Sequence, residues 1–184
     1  MEKIDSLYIY IVITAAMMVA VVSDLRYQKI PNWLTLSTFI LAVTYHTISH
    51  GLSGFLFAIE GGVIGIIVLL LPYLMGGMGA GDAKLMGAFG ALLGPKGVFL
   101  AFILTALIGG GYAVAILAFC GNLGKTLQRY WLVIRTFFMT GKLTYMPPSE
   151  GEARPRLRYG VAIALGTILS VAMKNSIYEL LHLD

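Results

Sequence analysis

The sequence predicts an all-α, polytopic membrane protein of about six transmembrane helices, with one further amphipathic helix lying in the cytoplasmic interface. Three observations carry that prediction. Hydrophobic residues make up 58% of the chain and charged residues 12%, with a mean hydropathy of +0.84. A soluble domain carries about 25% charged residues, so this chain is too poor in charge to cover a water-facing surface. The apolar residues also gather into long runs, and a helix needs about 20 of them to cross a bilayer. The basic residues, finally, fall mostly between those runs, so the net charge of +4 reflects membrane topology rather than nucleic-acid binding. The length suits one domain, and residues 1–184 are read as a single membrane-embedded unit.

Taken in order, the first helix is expected from about Leu7 to Ser23, the second from Trp33 to Ile48 and the third from Phe55 to Met75. The first run reaches Asp24 without an A-x-A-like cleavage site, so it is read as a retained helix and not as a signal peptide. The fourth, Ala83 to Gly94, is short, since a dozen residues at the helical rise cover only ~18 Å. The fifth runs from Gly97 to Cys120 and the sixth from Gly160 to about Leu180. Charge decides whether the fourth crosses or forms a re-entrant hairpin. If it crosses, Arg26, Lys29, Lys84, Lys125, Arg129, Arg135, Lys142, Arg154, Arg156 and Arg158 share one face. Only Lys3, Lys96 and Lys174 then lie towards the other. The positive-inside rule makes the first face cytoplasmic and puts both termini outside.

Between the fifth and sixth helices, residues 121–159 are the one substantial water-side segment. Leu127, Tyr130, Trp131, Ile134, Phe137 and Phe138 recur at helical spacing, with Lys125, Gln128, Arg129 and Thr136 between them. That pattern predicts an amphipathic helix in the interface. Pro147-Pro148 and Pro155 then predict an extended segment. The single cysteine, Cys120, can build neither a disulfide framework nor a zinc site.

Carboxylates at the edge of hydrocarbon are expensive to keep and are functional candidates for that reason. The chain has four aspartates, and two of them, Asp24 and Asp82, end up at cytoplasmic helix ends in this topology. Two carboxyls close enough to share a proton can act as base and acid towards water and a peptide carbonyl. The bland alternative is an interfacial cap, or an ion pair with Arg26 or Lys84. Gly79 and Gly81 beside Asp82 allow backbone angles closed to other residues and a close chain approach, which suits presentation of an extended peptide. Lys84 could favour ionisation of the pair or simply reach the interface. Gly61-x-x-x-Gly65 and Gly90-x-x-x-Gly94 read as helix packing.

Asp24-x5-Ile30-Pro31-Asn32, then Gly79-Ala80-Gly81-Asp82-Ala83-Lys84-Leu85-Met86, then Tyr159-Gly160-Val161-Ala162-Ile163 together resemble the type IV prepilin peptidase family. These are membrane aspartic proteases with a Gly-x-Gly-Asp signature, and the resemblance runs in order from Asp24 to Gly166. It implies a peptidase domain over residues 1–184 with Asp24 and Asp82 as the catalytic pair. Gly79, Gly81, Lys84, Pro31, Asn32, Tyr159 and Gly160 would support the pair or position substrate. The implied reaction removes a short basic leader from a prepilin-like membrane protein at the cytoplasmic face of the cytoplasmic membrane, with no cofactor and no metal. Bifunctional members carry an N-terminal domain with paired Cys-x-x-Cys motifs and also N-methylate the product. Here the first helix begins almost at once and Cys120 stands alone, so methyltransferase activity is not expected. The short form looks most like the peptidases of tight-adherence (Flp-type) pili, with archaeal preflagellin peptidases as possible relatives.

Two other classes compete with this reading. A small proton or cation transporter would use Asp24, Glu60 and Asp82, although such proteins more often carry their sites near the midplane. A serine protease would use Gly51-Leu52-Ser53-Gly54 with His46 and His50, but its serine needs a base held on another helix. The expected partners are the bilayer and the substrate, without nucleic acid. The sequence does not specify an oligomeric state.

Overall fold

The computed structural model describes residues 2–74, 77–119, 121, 123–141 and 159–180. Every described element is helical: α1 is Glu2–Tyr27, α2 Asn32–Leu74, α3 Ala80–Phe119, α4 Leu123–Thr140 and α5 Tyr159–Leu180. The extended segment expected around Pro147-Pro148 and Pro155 lies outside the described residues, as do Gly76 and Cys120. Among the described residues, three stretches are long and apolar enough to cross a membrane: Tyr10–Tyr27, Asn32–Leu74 and Ala80–Phe119. A shorter apolar run, Tyr159–Met173, lies in α5. The protein is thus an all-helical membrane protein.

Two compact units make up the chain: Met1–Ile108 with Arg158–Asp184, and Gly109–Leu157. In the first unit, α1 packs on both α5 and α2. The expected second and third helices are two arms of α2, joined without a loop at Gly51, whose backbone leaves the helical region (φ 61°, ψ −139°). A Cβ on Gly62 would lie 2.7 Å from the Phe39 ring, and one on Gly54 would strike the His46 carbonyl. In a straight helix residues 39 and 62 would be ~35 Å apart. The arms therefore run antiparallel.

The expected fourth and fifth helices are likewise two arms of α3, broken at Gly94 (φ 73°, ψ −179°). Gly90 faces Val98 Cγ2 across that break, 3.1 Å from the position of a Cβ. Both breaks demand a positive φ, which glycine adopts without the Cβ clash that penalises other residues. The sequence predicts short loops here, because a single left-handed residue that reverses a helix leaves little trace in the hydrophobic pattern.

The shortness of residues 80–93 has a physical reason in the packing. Leu85, Met86, Ala88, Phe89, Ala91 and Leu92 are all essentially inaccessible. A helix buried on every side is apolar all round, and it need not be long enough to face lipid. It reaches its neighbour through glycine. Gly61 lies against the Gly90 carbonyl, and Gly65 lies against Met86 and Gly87. The two small-residue motifs thus form opposite halves of one seam, at which backbones approach closely. Where residues 80–93 end, the orphan carbonyl of Leu92 is met by buried His46, whose Nε2 lies 3.1 Å away.

In the second unit, a turn at Gly121 (φ 69°) follows the end of α3. The Gly121 N–H donates to Ala118 O at 3.1 Å. The α4 helix forms over the residues whose spacing predicted it. It stops at Gly141 (φ 68°), whose N–H donates to Phe137 O at 2.8 Å in a left-handed C-terminal cap.

The glycine seam yields a first prediction. Gly61→Val and Gly90→Val should each destabilise the protein by about 3 kcal/mol or more, because overpacking here presses on backbone that cannot give. Gly110→Val, at a position with nothing within 4 Å of a Cβ, should cost far less. Thermal unfolding in detergent, compared across the three variants, measures this.

Candidate active site

Asp24 lies on the buried face of α1. Ile13, Met17 and Ala20 form the stripe along that face, and Asp24 continues it at the same spacing, so the residue is only 6% exposed. Burial of a carboxylate requires a donor. The donor comes from a distant part of the chain: the Gly160 N–H, in the first turn of α5, bonds Asp24 Oδ2 at 3.0 Å. Helix starts carry unpaired N–H groups and the positive end of the macrodipole, so this position favours a carboxylate. A Cβ on residue 160 would fall 2.8 Å from that same oxygen and 3.1 Å from Asp24 Cβ and Cγ. Glycine is required for the approach.

After Asp24 the chain turns sharply. The Gln28 N–H donates to Asp24 O at 3.0 Å, with Gln28 itself left-handed (φ 52°). The Ser23 hydroxyl donates to Lys29 O at 2.7 Å and ties down the far side of the turn. Pro31 then precedes α2, and its carbonyl accepts from the Leu34 and Thr35 N–H groups. Ile30 points inward and is 9% exposed. It fills the space beside Gly81, where a Cβ would stand 3.1 Å from Ile30 Cβ and 3.4 Å from Ile30 O. That contact corrects one expectation: the space beside Gly81 is not an open path for another chain but the seat of the Ile-Pro-Asn turn.

Asp82 is the third residue of α3. Its Oδ2 accepts from the Gly79 N–H at 3.0 Å, while its own N–H donates to Gly79 O at 3.1 Å. This is the return arm of a capping box, so Asp82 does serve as an N-terminal cap. Capping alone would leave such a residue in water. Asp82 is instead 9% exposed. Lys84 turns to the surface, where its Nζ donates to Asn32 Oδ1 at 2.9 Å. That bond joins the first residue of α2 to the first turn of α3.

One end of the first unit therefore gathers Asp24, Asp82, Gly79, Gly81, Pro31, Asn32, Lys84 and Gly160, with Tyr159 half-buried at the start of α5. Other candidates fall elsewhere. Glu60 is exposed, beside Gly61 at the seam with Gly90. A transport path linking it to both aspartates finds no support. Ser53 donates to His50 O at 2.8 Å and His46 to a helix end, so both have structural partners in place of a nucleophile–base pair. Sequence reasoning missed Ser23. A hydroxyl directly before a carboxylate at a helix end was the available signal.

A second prediction concerns how this turn is held. Ser23→Ala should lower stability by about 1 kcal/mol, the usual worth of one hydrogen bond. Gly160→Val should cost more, because it places carbon against the Asp24 carboxyl and pushes that carboxyl off the residue-160 N–H. Denaturant titrations in detergent, with the Gly160→Val loss larger than that of Ser23→Ala, would bear this out.

No curated protein and no solved structure matches the chain. The model of the type IV leader peptidase family does match it, over residues 11–114, which is more than half of the chain and includes both buried aspartates. With its apolar helices and its two helix-end carboxyls already described, the chain belongs to the type IV leader peptidase family, a family of aspartic proteases.

Proposed function

We propose that Asp24 and Asp82 form the catalytic pair of this peptidase, and that it removes a short basic leader from prepilin-like substrates of the tight-adherence (Flp) kind at the cytoplasmic membrane face. The observation that carries the reading is the burial of two carboxyls, brought by separate helices to one end of the unit and each held at Oδ2 by a backbone N–H.

In this reading the pair holds one proton between two carboxyls, because like charges at close quarters resist full ionisation. The ionised member takes a proton from water as the oxygen attacks the scissile carbonyl carbon. The protonated member donates to the carbonyl oxygen. A neutral tetrahedral diol results. The C–N bond then breaks as the leaving nitrogen gains a proton from one carboxyl and the other recovers one from a diol hydroxyl, which restores the shared proton. Water is the second reactant, and the chemistry calls for no metal or cofactor. The new N-terminus is a free amine, without methylation.

Substrate recognition in this reading runs through the apolar helix of the prepilin, which packs against the enzyme in lipid. Attraction between the basic leader and the enzyme's basic loops is a poor mechanism, since like charges repel. Both chain ends would lie outside, with the site near the cytoplasm.

Asp24→Asn and Asp82→Asn should each lower leader removal by about 10²–10⁴-fold or more, the range for loss of an acid–base group. Glu60→Gln should keep most activity. The measurement is cleavage of co-expressed prepilins, with the product's N-terminus sequenced, at matched membrane levels. Near-normal cleavage by Asp24→Asn would overturn the pairing.

Topology is tested separately. Cysteines at Gln28 and Gln128, in a Cys120→Ser background, should resist an impermeant thiol reagent applied to intact cells, whereas one at Ser53 should react. Labelling at Gln128 from outside would reverse the orientation.

A further inference from the structure

We propose that α4 is a docking surface for anionic phospholipid, with its apolar stripe set among the acyl chains and its basic residues among the headgroups. Leu127, Trp131, Ile134 and Phe138 recur at the spacing of one helical face, and they are 60%, 69%, 44% and 82% exposed. Large apolar side chains in an unbroken stripe need a cover, since patches of this kind mark a protein or membrane contact.

Charge selects the cover. The charged residues of α4 are Lys125, Arg129 and Arg135, and the chain contains no Asp or Glu from Ala83 through Ser149. Arg135 is exposed and lies at one edge of the stripe, about 70° round the helix from its centre. A basic, amphipathic helix with tryptophan on its apolar face has the composition of an interfacial helix, and its affinity grows with anionic lipid. Each base near an anionic surface contributes about 1 kcal/mol. A neutral leaflet would seat the same apolar stripe but would offer the basic residues of the helix no net negative charge.

Connectivity supports the same occupant. The apolar span Ala80–Phe119 ends only three residues before Leu123, where α4 begins. The link spans at most about 14 Å when fully extended. The bilayer surface is thus within reach of α4 at high effective concentration. A second protein would have to compete against it.

The inference does not rest on the peptidase reading, and its test reads no cleavage. The chain has two tryptophans, so Trp33→Phe leaves Trp131 as the sole indole. This protein would be reconstituted whole into vesicles of mixed phosphatidylcholine and phosphatidylglycerol. In one set only the phosphatidylglycerol carries brominated chains; in the other only the phosphatidylcholine does, at equal mole fraction. Trp131 should be quenched several-fold more by the brominated anionic lipid. Added salt should reduce the difference, and neutralising bases (Lys125→Gln, Arg129→Gln, Arg135→Gln) should reduce it by up to about fivefold for each residue. Equal quenching in the two sets would overturn the proposal, because α4 would then be reading apolar depth alone. Absence of quenching in both would also overturn it and would assign the stripe to a protein contact, such as a second copy. Circular dichroism of each variant, unchanged in helix content, excludes loss of the fold as the cause.

Discussion

A carboxyl withdrawn from water must be given hydrogen-bond donors, and here the donors are the unpaired backbone N–H groups at the starts of helices. Asp24 takes its donor from Gly160 at the head of α5, and Asp82 takes its own from Gly79 just before α3. The rest of the first unit follows from that requirement. α5 must run back to the end of α1, residue 160 must lack a side chain, and α3 must begin beside the turn that carries Asp24. The macrodipoles of both helices add to the same effect. Lys84, the basic residue nearest Asp82 in the chain, is engaged with Asn32.

Close backbone approach is the second recurring device. The seam of Gly61 and Gly65 against Gly87 and Gly90 lets residues 85–92 sit within the unit, covered on every side. A central helix holds its first turn at a defined depth, and Asp82 occupies that turn. The same economy appears at Gly81, where the missing Cβ makes room for Ile30. The turn after Asp24 is thereby seated directly on the helix that carries Asp82. Between helices in lipid, hydrophobic burial gives little drive, so packing of this sort takes over much of its role.

The second unit obeys a different logic. Its helix keeps a wide apolar stripe exposed and carries only positive charge. Buried carboxyls and backbone donors dominate the first unit, whereas α4 is organised by what a membrane surface offers. Both follow from the same solvent. Hydrocarbon forces polar groups inward to find partners, and the headgroup layer lets cations remain outside.

Composition and periodicity alone determined the helical class, the membrane setting, the register of α4 and the two aspartates as candidates. Each of these depends on local spacing or on transfer energy, which a linear sequence carries in full. Asp24 was legible because a charge ended an apolar run, and Asp82 because glycines surrounded it. Only the tertiary structure decided that α2 and α3 each fold back at one glycine, since a reversal by a single positive φ alters one residue and leaves the hydrophobic pattern intact. It also decided that Gly81 is filled by Ile30, that Lys84 turns to Asn32, and that Gly160 is the donor to Asp24. Those contacts join residues 51, 52 and 136 positions apart. Their partners are selected by which helix ends meet in space, and no spacing rule along the chain encodes that meeting.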